Sequence, residues 1–124
     1  MRFTSRIYTI FAVSWTVAII LASLISISKA PEIPIKNLDK LVHATFYFGF
    51  VALWVLAKPK KQRGLVLISA VLLGGLLELA QGAMHQHRSA DWYDFMANTV
   101  GAFLAFLLIN KIILFLKHFH LYNS

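Results

Sequence analysis

The sequence predicts an all-α fold, a bundle of four transmembrane helices with both termini in the cytoplasm. Three observations predict it. The chain has 124 residues, 59% of them hydrophobic and 14% charged, with mean hydropathy +0.70, more apolar surface than a soluble domain of this size can hide. The apolar residues fall into four near-continuous runs of about bilayer length. The basic residues that give the net charge of +7 sit in short loops and tails beside those runs, where they act as topology signals.

The first run, 7–27, follows Arg2 and Arg6. Ser28-Lys29-Ala30 after it resembles a signal-peptide cleavage site, but the run is longer than the usual ~7–15 residues of such a segment, so a retained helix is expected. Pro31 and Pro34 then break the chain. The second run spans 38–57, the turn "KPKKQR" fills 58–63, and the third run spans 64–84. The fourth starts at Asp91 and reaches 116. Lys111 lies about 30 Å along it, one hydrocarbon thickness, and can snorkel to the far interface. The remaining tail either continues the helix or lies on the membrane surface. The whole chain reads as one membrane domain.

An even number of spans puts both termini on one side. That side holds Arg2, Arg6, Lys58, Lys60, Lys61, Arg63, Lys111 and Lys117, and the other holds Lys29, Lys36, Lys40 and Arg88. Eight basic residues against four place the termini in the cytoplasm.

The stretch "LLELAQGAMHQHRSADWYDFMANTVG" (76–101) carries three of the five acids in an otherwise greasy chain. Helical spacing explains why. Asp39, His43 and Tyr47 share one face of the second helix, Glu78, Gln81 and His85 one face of the third, and Asp91, Asp94, Asn98 and Gly101 one face of the fourth. His43, Glu78 and Asn98 each lie about 7–10 Å inside their helix ends, all in the outer leaflet. An ionisable side chain at mid-bilayer costs about 2.5–3.5 kcal/mol on insertion scales, so these stripes are expected to face one another rather than lipid. The small-residue stripe Ala97, Gly101, Ala105 permits close helix approach, and Trp92 and Tyr93 suit the head-group belt. A polar pocket opening outward is the result.

Glu78, His43 and Asp94 are the candidate acid/base groups. Asp39, Lys40, Gln81, Arg88, Asp91 and Asn98 are candidate ligand-binding residues. Each has a plainer reading. Asp39 and Asp91 also suit helix N-caps, and Asp94 the helix dipole. His43 also suits a neutral hydrogen-bond partner, and Glu78 a polar clamp between helices. Arg88 suits either an anion or a salt bridge to a neighbouring acid. Oxygen and nitrogen donors from His43, Glu78, Asp91 and Asp94 would suit Zn, Mn or Mg, but there is no H-E-x-x-H or comparable signature, so no metal is expected. His85, His87, His118 and His120 read as solvated loop and tail residues. With no Cys, thiolate chemistry and disulfides are excluded. No Gly-rich phosphate loop, G-x-S-x-G elbow or nucleic-acid motif occurs, so no cofactor and no nucleic-acid partner are expected. The first helix, whose serines lack a paired base, is assigned to packing.

Asp39-Lys40-x-x-His43, Glu78-x-x-Gln81 and Arg88-x-x-Asp91-x-x-Asp94-x-x-x-Asn98-x-x-Gly101, in this order, resemble the VanZ family of small bacterial membrane proteins, over residues 36–108. The family is named for a protein linked to low-level teicoplanin resistance. The resemblance implies a four-helix core in the cell envelope; it supplies no reaction. The expectation is a multi-pass protein of the bacterial inner membrane whose cleft binds an anionic or amphipathic envelope component, such as a lipid-linked precursor. Its rivals are a hydrolase or transferase acting on a lipid head group, and a structural or assembly partner without a ligand. Homo-oligomerisation is compatible with all three.

Overall fold

The computed structural model describes residues 3–25, 38–84 and 91–122. They form α1 (Phe3–Ile25), α2 (Leu38–Ala57), α3 (Arg63–Met84) and α4 (Trp92–His118), with a 3₁₀ turn at Lys60–Gln62 joining α2 to α3. All four helices are long and apolar enough to cross a membrane. In hydrocarbon, a helix is the fold that satisfies every backbone N–H and C=O within one segment. The architecture is therefore the all-α four-helix one that the hydropathy predicts.

The ends are set by local chemistry. Pro59 precedes the 3₁₀ turn and cannot donate to α2. Asp91 caps α4, its carboxylate accepting from the backbone N–H of Tyr93 at 2.9 Å and of Asp94 at 3.4 Å. α1 starts at Phe3, ahead of the apolar run, and there the Ser5 hydroxyl donates to the orphan carbonyl of Ala57 at the end of α2, 3.0 Å away. α4 runs on to His118 and then stops. His120 takes a left-handed conformation, φ 57°, and Leu121 N–H returns to the Leu116 carbonyl at 2.8 Å. That is a Schellman turn with histidine in the place glycine usually holds. The Tyr8 hydroxyl donates to the Leu121 carbonyl at 2.8 Å and ties the turn to α1.

α2 sits between α1 and α4, and α3 packs chiefly on α4. The core is Tyr47, Val51 and Val55 of α2 against Ala102, Ala105 and Ile109 of α4. Gly101 lets those helices meet: a β-carbon there would overlap the Ala44 carbonyl group. Leu72, Leu76, Leu79, Leu107 and Leu114 are exposed, as lipid-facing residues of a spanning bundle would be.

Polar ties show which ends share a side. Ser5–Ala57, Tyr8–Leu121 and the Arg63–Asn110 bond of 3.0 Å fix the end that holds the basic turn. At the opposite end lie the start of α2, the end of α3 and the start of α4. The polar cluster is there.

Candidate functional site

Lys40, in the first turn of α2, is the hub. Its ammonium donates to Asp39 Oδ2 and to Asp91 Oδ2, each at 3.0 Å, and to Asp94 Oδ1. It thus bridges the first turns of α2 and α4. The three carboxylates differ in burial: the Asp94 side chain is 1% exposed, Asp91 37% and Asp39 62%. The Asp94 pair is the costly one to break, because its charge cannot turn to water. The pKa of Asp91, which lies just outside the spanning segment, feels burial pushing it upward, but the Lys40 ammonium and the N–H groups of Tyr93 and Asp94 prevail and hold it below the ordinary 3.8.

His43, one turn further along α2, accepts its orientation from α4. Its Nδ1 lies 2.9 Å from Asn98 Oδ1, and its Nε2 lies 3.5 Å from Asp94 Oδ2. Asn98 is 3% exposed and fits because α3 has Gly74 opposite: a β-carbon there would stand 3.2 Å from the Asn98 amide nitrogen. Glu78 of α3 is 4% exposed and accepts the Asp91 backbone N–H on Oε1 at 2.7 Å. His43, Glu78 and Asp94, one from each of three helices, offer donor atoms that all lie within 4.8 Å of one another.

The structure therefore brings His43, Glu78, Asp94, Asp91, Lys40 and Asn98 together. Among the described residues Asp39 reaches the group through Lys40, and it stays largely in the open. Gln81 leaves it: the side-chain amide donates to the Ser23 carbonyl of α1 at 2.6 Å. Arg88 and His85 lie outside the described residues. Among the described residues the cluster holds four carboxylates and one ammonium, so it is acid-rich.

The role of α1 was not legible from its serines. It carries more than packing, since Trp15 Nε1 donates to the Phe46 carbonyl at 2.8 Å and Ser23 receives Gln81. The two tryptophan N–H groups, Trp15 and Trp54, were the available signal, because a buried indole needs an acceptor. Trp54 finds one in Thr16 Oγ1 at 2.9 Å.

Beside the cluster, a groove of about 390 Å³ runs between α3 and α4, lined by Gly75, Glu78, Leu79, Asp91, Trp92 and Phe95. Its floor is apolar, and its polar members are Glu78 and Asp91. Trp92, which lines the groove, and its neighbour Tyr93 are both exposed, as residues of an interfacial belt are.

Neither a curated protein nor a solved structure matches the chain. The family model described as VanZ/LLP1 matches residues 2–116, and with its four membrane-length helices the chain belongs to the VanZ/LLP1 family.

Proposed function

We propose that the protein binds an amphipathic component of the bacterial cell envelope. The polar head meets the Lys40–Asp94–Glu78 cluster, and an apolar tail lies in the groove between α3 and α4. One observation carries this reading: Glu78 belongs to both, joining His43 and Asp94 on one side and lining the groove on the other. A site with a polar end and an apolar wall matches an amphipathic ligand. Arg88 would add a cationic arm for an anionic head group. The distribution of basic residues supports a plasma-membrane protein with cytoplasmic termini and the cluster at the outer face.

A second reading is acid–base chemistry on the bound head group. The convergence of His43, Glu78 and Asp94 favours it, since a ring fixed by Asn98 and facing a carboxylate has the geometry of a positioned base.

Native mass spectrometry of the detergent-purified chain tests the first reading, with wild type beside Glu78→Gln and Arg88→Ala. The expected result is a co-purifying lipid adduct on wild type that weakens in both variants. Absence of any adduct would overturn it and leave the cluster as a fastening between helices. Turnover of the adduct lipid that stops in Glu78→Gln, with binding retained, would establish the second reading. Because the chain has no Cys, single cysteines placed at Gln62 and Asp39 report the two faces cleanly. Labelling of the Asp39 position by an impermeant maleimide in intact cells is the expected outcome.

A further inference from the structure

We infer that the basic end of the bundle holds one phospholipid with an anionic head group. Its acyl chain lies in a groove among α1, α2 and α3, and its phosphate meets Lys58. This site is at the opposite end from Glu78, so the inference does not rest on the reading proposed above.

The groove has a volume of about 400 Å³, within the range of small-molecule sites. Phe50, Trp54 and Lys58 line it at every fourth position of α2, and Leu65, Ser69 and Leu73 at every fourth position of α3. Each stripe runs about 12 Å along its helix. Both start at the end that holds the 3₁₀ turn, so the groove has a charged mouth and an apolar run below it. Phe50 and Val66, both buried, form its inner wall, and Thr16 closes it from α1. The polar side chains inside are engaged by the protein itself. Trp54 Nε1 donates to Thr16 Oγ1 at 2.9 Å, Thr16 donates to the Ala12 carbonyl at 2.8 Å, and Ser69 donates to the Leu65 carbonyl at 2.8 Å. The interior therefore suits hydrocarbon rather than a polar ligand.

Charge supplies the second, independent argument. Lys58 is exposed, and its ammonium stands 5.7 Å from the centroid of the Trp54 ring, which holds it at the mouth. Gln62 lines the mouth with it. Arg63 turns away, donating from Nη1 to Asn110 of α4. Lys58, Lys60, Lys61 and Arg63 fall within six residues that include no acid. The described carboxylates, Asp39, Glu78, Asp91 and Asp94, all lie at the other end, and Glu32 lies outside the described residues. Among the described residues Lys58 thus meets no carboxylate, and a juxtamembrane polybasic segment of this kind attracts anionic lipid. A soluble anion would satisfy the lysine and leave the groove unfilled. A phospholipid brings both the charge and the hydrocarbon.

The test titrates the delipidated full-length chain in detergent with dioleoyl phosphatidylglycerol or dioleoyl phosphatidylcholine, and counts bound lipids by native mass spectrometry. The two lipids share their tails and differ in net charge. Phosphatidylglycerol should fill the site at one molecule per chain and bind about fivefold more tightly than phosphatidylcholine, the worth of one lysine at a membrane surface. Lys58→Gln should erase that preference. Ser69→Phe fills the groove without changing charge and should remove the adduct. Lys111→Gln changes a basic residue at the same end, on a helix that does not line the groove, and should bind like wild type. The adduct should also persist in Glu78→Gln, which separates it from a lipid held between α3 and α4. Equal affinity for the two lipids in wild type would overturn the site, and so would equal losses from Lys58→Gln and Lys111→Gln. An adduct that survives in folded Ser69→Phe, or that Glu78→Gln removes instead, would overturn it as well. Should Ser69→Phe fail to fold, wild type and the exposed Lys58→Gln change still decide.

Discussion

The backbone N–H of Asp91 donates to Glu78 Oε1 across 2.7 Å. A buried acid in α3 thereby holds the residue that caps α4, and the cap in turn holds Lys40 of α2. The same carboxylate therefore has a structural duty whatever else it binds. Glu78→Gln keeps an acceptor for that N–H and should melt within about 1 kcal/mol of wild type. Glu78→Leu leaves a donor with no partner and should cost about 1–3 kcal/mol. Thermal or denaturant unfolding of the two variants in detergent checks the order. Equal losses would mean that the bond contributes nothing.

Lys40 should be the most sensitive charge in the chain. Lys40→Met leaves the buried Asp94 carboxylate without its ammonium, which should cost on the order of 3 kcal/mol. Asp39→Asn removes only the exposed arm and should change stability by less than about 1 kcal/mol. The double variant Lys40→Met/Asp94→Asn should recover part of the loss, because it also removes the buried charge that has lost its ammonium. A double-mutant cycle by unfolding reports this directly. If Lys40→Met unfolds like wild type, the ammonium is not the hub of the cluster.

The sequence made the four helices legible because apolar runs bounded by Pro34, the basic turn and Asp91 leave little other choice in a bilayer. It also made the meeting of His43, Glu78, Asp94 and Asn98 legible, since helical spacing assigns faces and rise assigns depth. Gln81 shows where that reasoning stops. Spacing places it on the Glu78 face, but a side chain at the edge of a stripe is open to two neighbours, and the Ser23 carbonyl takes it. Lys40 shows a second limit. A lysine at a helix start reads as a free cation until the positions of three carboxylates from two helices are known. The Schellman turn at His120 was illegible for a third reason, because no glycine marks it.

Acid should weaken the start of α4. The native Asp91 carboxyl titrates below the unfolded value of 3.8. Its contribution is therefore fully present above that value and is lost as pH falls through the lower native one. Wild type should show a falling melting temperature below about pH 4. Asp91→Asn keeps a capping side chain but gives up the Lys40 ion pair, so it should melt lower at pH 7 and lose less on acidification. Parallel acid limbs in the two proteins would sink the assignment to Asp91.

Two glycines in helices should respond oppositely to the same substitution. Gly101 faces α2, and its missing β-carbon is the space that the Ala44 carbonyl group occupies. The obstacle is backbone, which cannot rotate aside as a side chain would, so Gly101→Ala must push α4 away from α2. The displacement loosens the Tyr47–Val51–Ala102–Ala105 core and shifts the His43–Asn98 contact, which spans the same two helices. Overpacking of this kind should cost about 1–3 kcal/mol. At Gly64 nothing lies within 4 Å of a new β-carbon, and alanine has the better helix propensity. Gly64→Ala should be neutral or stabilise by up to about 1 kcal/mol. Melting temperatures of the two variants measured side by side give the comparison. If both glycines tolerate alanine equally, the close approach of α4 to Ala44 is not what positions the cluster.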